Sequence, residues 1–516
     1  MKKLYDEADV VESKDLDWVG AVQQIVWRAA AAGEPLDSNA FTEALGTHLG
    51  IGERAATALV AGMTVLADYA TASVEAGDAL TEESDALVAS RRAVCPLLEA
   101  RLQRRVDAFE QSNRGAAGSS GQRLHSEGRR LRTRSTLLGT VTTKRRWYVD
   151  PHQGGFSPAE QAIGLPASDF SARLAESVTM MATTVSEEMA TTLLGWMLGV
   201  EISKHGLQEL VHERGQFVMN KNDRVASAHA PFEDSGLMRD VERPHDSVEE
   251  APSIAYLEID GVVPMTRELH AGRSSPVEGA RGGKGLRYTL IGREVKNAVL
   301  YRGDTCAQLM PSRGSLLEKT YVSRLGHWKP FAHSVWAEMR RLRFDAAETT
   351  ILLSDGAEWI RTLGEWLPCE VVLILDLFHA KHRIWEVSQA LWGRHNTQTT
   401  RWARRQCDRI EEGHVDKVLA TLERLQRTHD VEKLHELHTY FTNNQDRMDY
   451  PAYRAKNYRV TTAGVESANY HVTGARLKQQ GMRWSREGAS EMAALRADLF
   501  NGTWRRRTKE MLNAAA

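Results

Sequence analysis

The chain is poor in the features that mark secreted, membrane-bound or metal-stapled proteins. Its 4 cysteines in 516 residues, Cys95, Cys306, Cys369 and Cys407, share no CxxC spacing, which excludes a disulfide framework and a zinc knuckle. No stretch approaches the roughly 20 unbroken apolar residues of a membrane helix, and MKKLYDEADVVESKD lacks the apolar core of a secretory signal. A cytoplasmic protein with no membrane partner is expected. An excess of one charge is missing too, the formal net charge being −2, but the total conceals an uneven spread. From Arg114 to Arg146 nine Lys or Arg stand against one acid, Glu127. Local basic segments in a neutral chain suit a protein that grips a polyanion at chosen places.

At 516 residues, with 42% hydrophobic and 26% charged, the chain has the balance of a globular protein of roughly three units. Residues 1–111 read as helical, from Trp18, Val22, Ile25 and Val26 to the apolar face of EARLQRRVDAF. Residues 112–150 read as a Gly/Ser/Arg-rich flexible joint, Ser112 to Gly128, followed by a small basic β unit in STLLGTVTTKRRWYVD. Residues 151–233 return to a helical period. There VSEEMATTLLGWMLGVEISKHGLQELVHERG reads as helix, turn, helix with Ser186 and Ser203 as N-caps, which suits either a DNA-reading helix-turn-helix or a packed helical pair. Acidic, proline-bearing residues 234–253 mark a linker. Residues 254–388 alternate strand and helix: SIAYLEIDGVV, the hairpin RYTLIGREVKNAVLYR, a helix around HSVWAEMRRLRF, then ILLSD and EVVLILD, each with a following helix. Residues 389–455 read as a charged helical insertion, and 456–516 as the last part of the core with a basic tail.

Three acids, Asp260, Asp355 and Asp376, each end an apolar strand run, and carboxyl ends of strands are where open α/β sheets keep their sites. Clustered carboxylates need a cation or a set of donors. Hard oxygens without a Cys or His cluster point to Mg²⁺ or Mn²⁺, and a pair of such ions suits phosphodiester chemistry. The plainer alternative is that each Asp caps the helix after it. A further carboxylate is expected from another element. Glu466 in TTAGVESANYH fits best, because Thr461 or Thr462 can cap a helix whose first turn carries it; Glu386, Glu487 and Glu491 look like solvated faces.

LEIDG, LLSDGAEWI, LDLFHAKHRIWE and GVESANYHVTGARLKQQGMRWSREGA together resemble the DDE transposases of the bacterial Mutator superfamily, most closely the Kra group of insertion-sequence transposases. The resemblance implies an RNase H-like α/β catalytic domain with a mixed sheet and a helical insertion, preceded by a mainly α-helical region with a small β unit. It implies that Asp260, Asp355 and Glu466 form the triad holding two Mg²⁺ or Mn²⁺ ions, and that Asp376 and His379, the DxxH signature, are accessory. From chemistry alone Asp376 remains an option as the third ligand, and His379 as an ordinary helix-start histidine.

Double-stranded DNA is the expected partner, as terminal inverted repeats and as target, with at least a dimer on DNA. Arg130, Arg132, Arg134, Lys144, Arg145 and Arg146 are expected at phosphates. So are Arg281 and Lys284 in the loop GARGGKGLRY, which fails as a P-loop because Gly285 stands where Ser or Thr belongs. Lys478, Arg483 and Trp484 combine cations with a ring that can stack on an unpaired base, the alternative being that Trp484 is a core residue. A metal-dependent nuclease without strand transfer, and a catalytically retired transposase that regulates by binding DNA, are the alternatives.

Overall fold

A computed structural model describes residues 38–49, 51–71, 79–113, 115–118, 120–152, 154–166, 168–233, 236–269, 288–310 and 313–515. It divides into two compact units, Met1–Leu210 with Arg505–Ala516, and Val211–Trp504.

The first unit carries helices Ser38–Leu49, Glu53–Thr71 and Ala79–Ser112, then a long antiparallel hairpin, Ser126–Thr136 with Gly139–Asp150. The helical expectation for this region holds over the described residues; Trp18, Val22, Ile25 and Val26 lie outside them. The described residues of the expected flexible joint, 112–128, include regular structure. They contain the short pairing of Ala116–Ala117 with Arg123–Leu124, and the long strand already starts at Ser126. The edge of strand Gly139–Asp150 is closed by side chains of the Ala79–Ser112 helix. Glu99, Gln103 and Glu110 accept from the backbone N–H groups of Thr142, Lys144 and Arg146 at 2.7, 2.7 and 2.5 Å, which satisfies an otherwise open sheet edge. Further on, Ser186 and Ser203 cap as expected, accepting from Met189 and Gly206, and Gly199 ends the first of the two helices at φ 53°.

In the second unit five strands form one mixed sheet: β1 (Ile254–Val262), β2 (Val295–Arg302), β3 (Thr320–Leu325), β4 (Thr349–Ser354) and β5 (Val371–Leu375). Their order is β3-β2-β1-β4-β5. β1 pairs antiparallel with β2, and β2 with β3, whereas β4 runs parallel to both β1 and β5. The run RYTLIGREVKNAVLYR is not a hairpin: Tyr288–Gly292 pairs with Met265–Leu269 outside the sheet, and only its second half is β2.

Alternation along the strands sorts side chains to two covered faces, which is why the strands are apolar throughout. Ala255, Leu257, Ile259, Leu300 and Leu352 face α1 (Trp328–Arg341) and α2 (Glu358–Trp366). Tyr256, Val299, Tyr301, Ile351, Leu353 and Ile374 face a second core built with α3 (Leu377–Trp392), α4 (Thr397–Glu411), α5 (Val415–Gln426), α6 (Glu432–Asn444) and α7 (Tyr450–Ala455). The expected insertion is therefore a helical layer whose apolar stripes continue the core of the sheet. After it come α8 (Ala463–Ala468), a π-helical turn at Asn469–Gly474, and α9 (Arg486–Phe500). Among the described residues no helix is long and apolar enough to cross a membrane.

Candidate active site

Period two carries the three acids expected at strand ends to one face. Asp260 continues the Tyr256, Glu258 series, Asp355 the Ile351, Leu353 series, and Asp376 follows Ile374 at the same interval. On the parallel pair β1/β4 Ile259 stands opposite Ser354. The next residues stand side by side: Asp355 just past the end of β4, and Asp260 not at a strand end as the sequence suggested but still within β1, which runs on to Val262 with Asp260 opposite Asn297 of β2. Burial first, and then the Asp355 charge, push the Asp260 carboxyl up to about 6 against donors from Gly261 and Asn469.

The plainer alternative holds for Asp376, which caps α3, but not for Asp355, which closes a local turn ahead of α2 whose N-cap is Ala357. Asp355 Oδ1 accepts from the Ala357 N–H at 3.0 Å ahead of α2, and Asp376 Oδ1 from the His379 N–H at 2.7 Å in α3. Between them Gly356 adopts φ 88°, and a Cβ there would meet Leu375 Cδ1 at 2.7 Å and Tyr440 Cε2 at 2.9 Å. The Tyr440 hydroxyl donates to the Asp355 carbonyl at 2.6 Å, so α6 of the insertion fixes this corner.

Asp376 is fully buried. Its Oδ2 accepts from both the backbone N–H and the hydroxyl of Thr462. Burial alone would raise its carboxyl, but donors from His379 and Thr462 outweigh burial and hold it below the usual carboxylate range. Both oxygens are thus engaged, and Asp376 acts as a tie between α3 and the start of α8, a poorer metal ligand than its sequence position allowed. Thr462 does precede α8, but its hydroxyl is spent on Asp376 and not on a helix cap.

Glu466 on α8 is exposed, with Oε1 4.0 Å from Nδ1 of His379. That same Nδ1 is 3.4 Å from Asp376 Oδ1. The Asp376 carboxylate holds the His379 imidazolium above its usual range against the cost of burial, and Asp355 and Asp260 add to the effect. Among the described residues Asp376, His379 and Glu466 bring one ligand atom each within 4.8 Å of one another; Asp260 and Asp355 do not join that group, and are linked to it through the charge of His379.

Two residues essential to this geometry were not singled out in the sequence. Glu258, two places before Asp260 and fully buried, accepts from Tyr301 Oη at 2.6 Å and from the Val465 N–H at 2.7 Å. It pins the first turn of the Glu466 helix to β1, and burial raises its carboxyl. Asn297 on β2 donates to Asn469 Oδ1 at 2.7 Å and accepts from Ser323 at 2.6 Å and Thr473 at 3.0 Å. Asn469 in turn donates to Asp260 Oδ2 at 2.5 Å. The available signal for Glu258 was a carboxylate inside LEIDG on the same strand face as Asp260.

The expected DNA-contacting residues divide. Arg134 and Arg145 are buried on Glu160 at 2.8 and 3.1 Å, which withdraws them from phosphate contact. Arg132 pairs with Asp169 at 3.2 Å, Arg146 approaches Glu110 at 3.6 Å and Arg130 pairs with Glu127 at 2.5 Å; Arg130 and Lys144 are exposed. Lys478 and Arg483 are exposed, but Trp484 is core: its Nε1 donates to the Leu477 carbonyl at 3.1 Å and the Arg476 guanidinium lies 4.7 Å from its ring centre. Arg281 and Lys284 lie outside the described residues. On the insertion, Trp392 and Trp402 pack edge to face at 5.5 Å, while Arg394, Arg401, Arg404 and Arg405 are exposed.

The chain is matched over residues 325–513 by a family model described as uncharacterised protein family UPF0236, a span holding Asp355, Asp376, His379 and Glu466 but beginning after Asp260. Comparison with curated proteins gives no match.

Proposed function

We propose that the chain is a DNA transposase of the DDE type, its second unit an RNase H-like catalytic domain of the Mutator kind and closest to the Kra group. The observation that supports the reading is the neighbouring placement of Asp260 on β1 and Asp355 at the end of the parallel strand β4, with the helix of Glu466 seated on the same face through Val465 and Glu258. The strand order β3-β2-β1-β4-β5, with three antiparallel strands followed by two parallel ones, supports the RNase H-like assignment.

The donors fit a hard divalent cation. Asp260, Asp355 and Glu466 offer only carboxylate oxygens, and the Asp260 carboxyl is raised chiefly by burial and secondarily by the Asp355 charge, both of which a cation would offset. Asp260, Asp355 and Glu466 would hold two Mg²⁺ or Mn²⁺ ions, which would supply Lewis-acid chemistry for an in-line phosphoryl displacement. The chain's own residues do the rest. Asp376 and Glu258 hold α8, and with it Glu466, beside His379, while Asn469 donates to Asp260 and His379 sets the charge among the acids. Hydrolysis at an element end and attack of the freed 3′-hydroxyl on target DNA have the same geometry, so one site serves both. Arg130 and Lys144 remain as phosphate contacts to the terminal repeats, and pairing two ends calls for at least a dimer on DNA.

The test incubates the protein with Mg²⁺, a duplex carrying the DNA that borders its gene, and a target plasmid. Nicked ends and joined donor–target products are expected from wild type and not from Asp260→Asn, Asp355→Asn or Glu466→Gln. Cleavage without any joined product would reduce the activity to that of a nuclease. Binding without either reaction would leave a DNA-binding regulator, and an active Glu466→Gln would remove that residue from the triad.

A further inference from the structure

Large apolar side chains border the acids from three separate elements. Phe378, directly before His379, is 64% exposed; Tyr470, directly after Asn469, is 67% exposed; Val263, three residues after Asp260, is 49% exposed. Single exposed apolar residues are common on any surface and need no explanation. These differ in where they stand, each next in the chain, or nearly so, to a side chain that holds the site together. His379 lies 4.0 Å from Glu466 and Asn469 lies 2.5 Å from Asp260, so the two rings flank elements already in contact.

The backbone at Tyr470 is unusual as well. It lies in the π-helical turn Asn469–Gly474, and one-turn π segments inserted after an α-helix are frequent at functional sites because the extra residue re-aims the side chains. The turn is anchored from inside: Thr473 donates to Asn297, and the carbonyls of His471 and Val472 accept from Arg496 on α9. Asn469 therefore reaches inward to Asp260 while the next residue, Tyr470, is turned out to solvent. Phe378 is likewise fixed in the first turn of α3 by the Asp376 cap. Rings held on anchored backbone and left to water are poor use of apolar surface unless something flat covers them.

We propose that Phe378 and Tyr470 are stacking platforms for unpaired nucleobases next to the phosphodiester that is cut, so that the site prefers DNA whose end is melted or distorted. This takes the stacking role expected of Trp484, which is core, and gives it to two rings beside the acids. Every base has a π-face, so such contacts tolerate sequence and discriminate paired from unpaired structure. The inference rests on the nucleic-acid reading of the same acids.

The experiment measures binding of the full-length protein, in Ca²⁺ to avoid turnover, to two probes of the same bordering sequence. One is fully paired; the other carries three unpaired nucleotides at the element end, with 2-aminopurine among them. Phe378→Leu and Tyr470→Leu keep apolar bulk without the ring, and Tyr470→Phe keeps the ring. Wild type and Tyr470→Phe are expected to favour the unpaired probe and to quench its fluorescence, and each Leu variant to lose about five- to a hundredfold of that preference with little change on the paired probe. Equal preference and quenching in wild type and both Leu variants would overturn the stacking while leaving the DNA reading intact. Failure of wild type to bind either probe would overturn both.

Discussion

Nδ1 of His379 lies 4.0 Å from Oε1 of Glu466, the acid from outside the sheet, and the imidazolium also carries the field of Asp376, Asp355 and Asp260. In the metal-free protein the His379 imidazolium thus stands among four carboxylates. Titrated by NMR without divalent ions, it should show a pKa above the ordinary 6.5. Adding Mg²⁺ should lower that pKa by about one unit or more, because a cation on the acids cancels their attraction. Asp376→Asn should lower it without metal. A pKa indifferent to both would detach His379 from the acids.

Proton linkage gives the metal-free fold a particular pH profile. Asp260 is raised to about 6. Its contribution to stability is therefore complete below the ordinary 3.8 and is lost as pH rises through about 6. His379 is raised too, so its contribution is complete below 6.5 and is lost as pH rises through its higher folded value. Asp376, held low, acts oppositely: its contribution is present above 3.8 and is lost as pH falls through its folded value. In EDTA the protein should melt at a lower temperature at pH 8 than at pH 5.5. Asp260→Asn should raise the pH 8 melting point by the equivalent of about 1–2 kcal/mol, discounted for partial exposure, while abolishing cleavage. A lower melting point for Asp260→Asn at pH 8 would contradict the account.

The acids were legible in the sequence because an apolar strand run broken by Asp leaves a plain mark, and because strand alternation fixes which face each Asp takes, although the strand of Asp260 runs on to Val262. Glu466 was legible through the short helix expected around it. Less was legible where one local pattern serves two environments. A basic run announces cations but not which of them a distant acid will draw inside, and Glu160 takes Arg134 and Arg145. KQQGMRWSREGA left Trp484 open between a stacking ring and a core residue, and only the approach of Arg476 and the Leu477 carbonyl decides for the core. TYVSRL is too short to declare itself as β3, which pairing with β2 establishes. Glu258 looked like the polar member of an alternating strand until its partners, Tyr301 and Val465, were brought to it from far along the chain.

The fit of α8 against β1 leaves no room at Gly464. A Cβ there would stand 2.7 Å from Glu258 Oε2, and Glu258 cannot yield without dropping the Val465 N–H. Gly464→Ala should destabilise the protein by about 1–3 kcal/mol. Glu258→Leu, which orphans the Val465 N–H and the Tyr301 hydroxyl, should cost about 1–3 kcal/mol for each group. In both variants calorimetric Mg²⁺ titration should show weaker binding, since Glu466 is no longer held beside His379. Unchanged melting and unchanged Mg²⁺ affinity in Gly464→Ala would show that α8 is not so tightly seated.

The basic hairpin separates stability from DNA binding by residue. Glu160 is buried, and its Oε1 alone meets two buried guanidiniums, those of Arg134 and Arg145. Glu160→Ala should therefore destabilise the first unit by about 3–5 kcal/mol, as removal of one member of a buried ionic group does. Arg130→Ala with Lys144→Ala removes two exposed cations. Melting should stay within about 0.5 kcal/mol of wild type, while affinity for the bordering duplex falls and the slope of log affinity against log salt flattens by about 2. Calorimetry and binding between 50 and 200 mM salt, on the same preparations, read both. The two effects must appear in different variants, because a charge already held by Glu160 is not available to a phosphate, and one exposed to water does little for the fold. If Glu160→Ala melted like wild type, or if the Arg130/Lys144 variant kept the full salt slope, the hairpin's cations would have to be reassigned between core and interface.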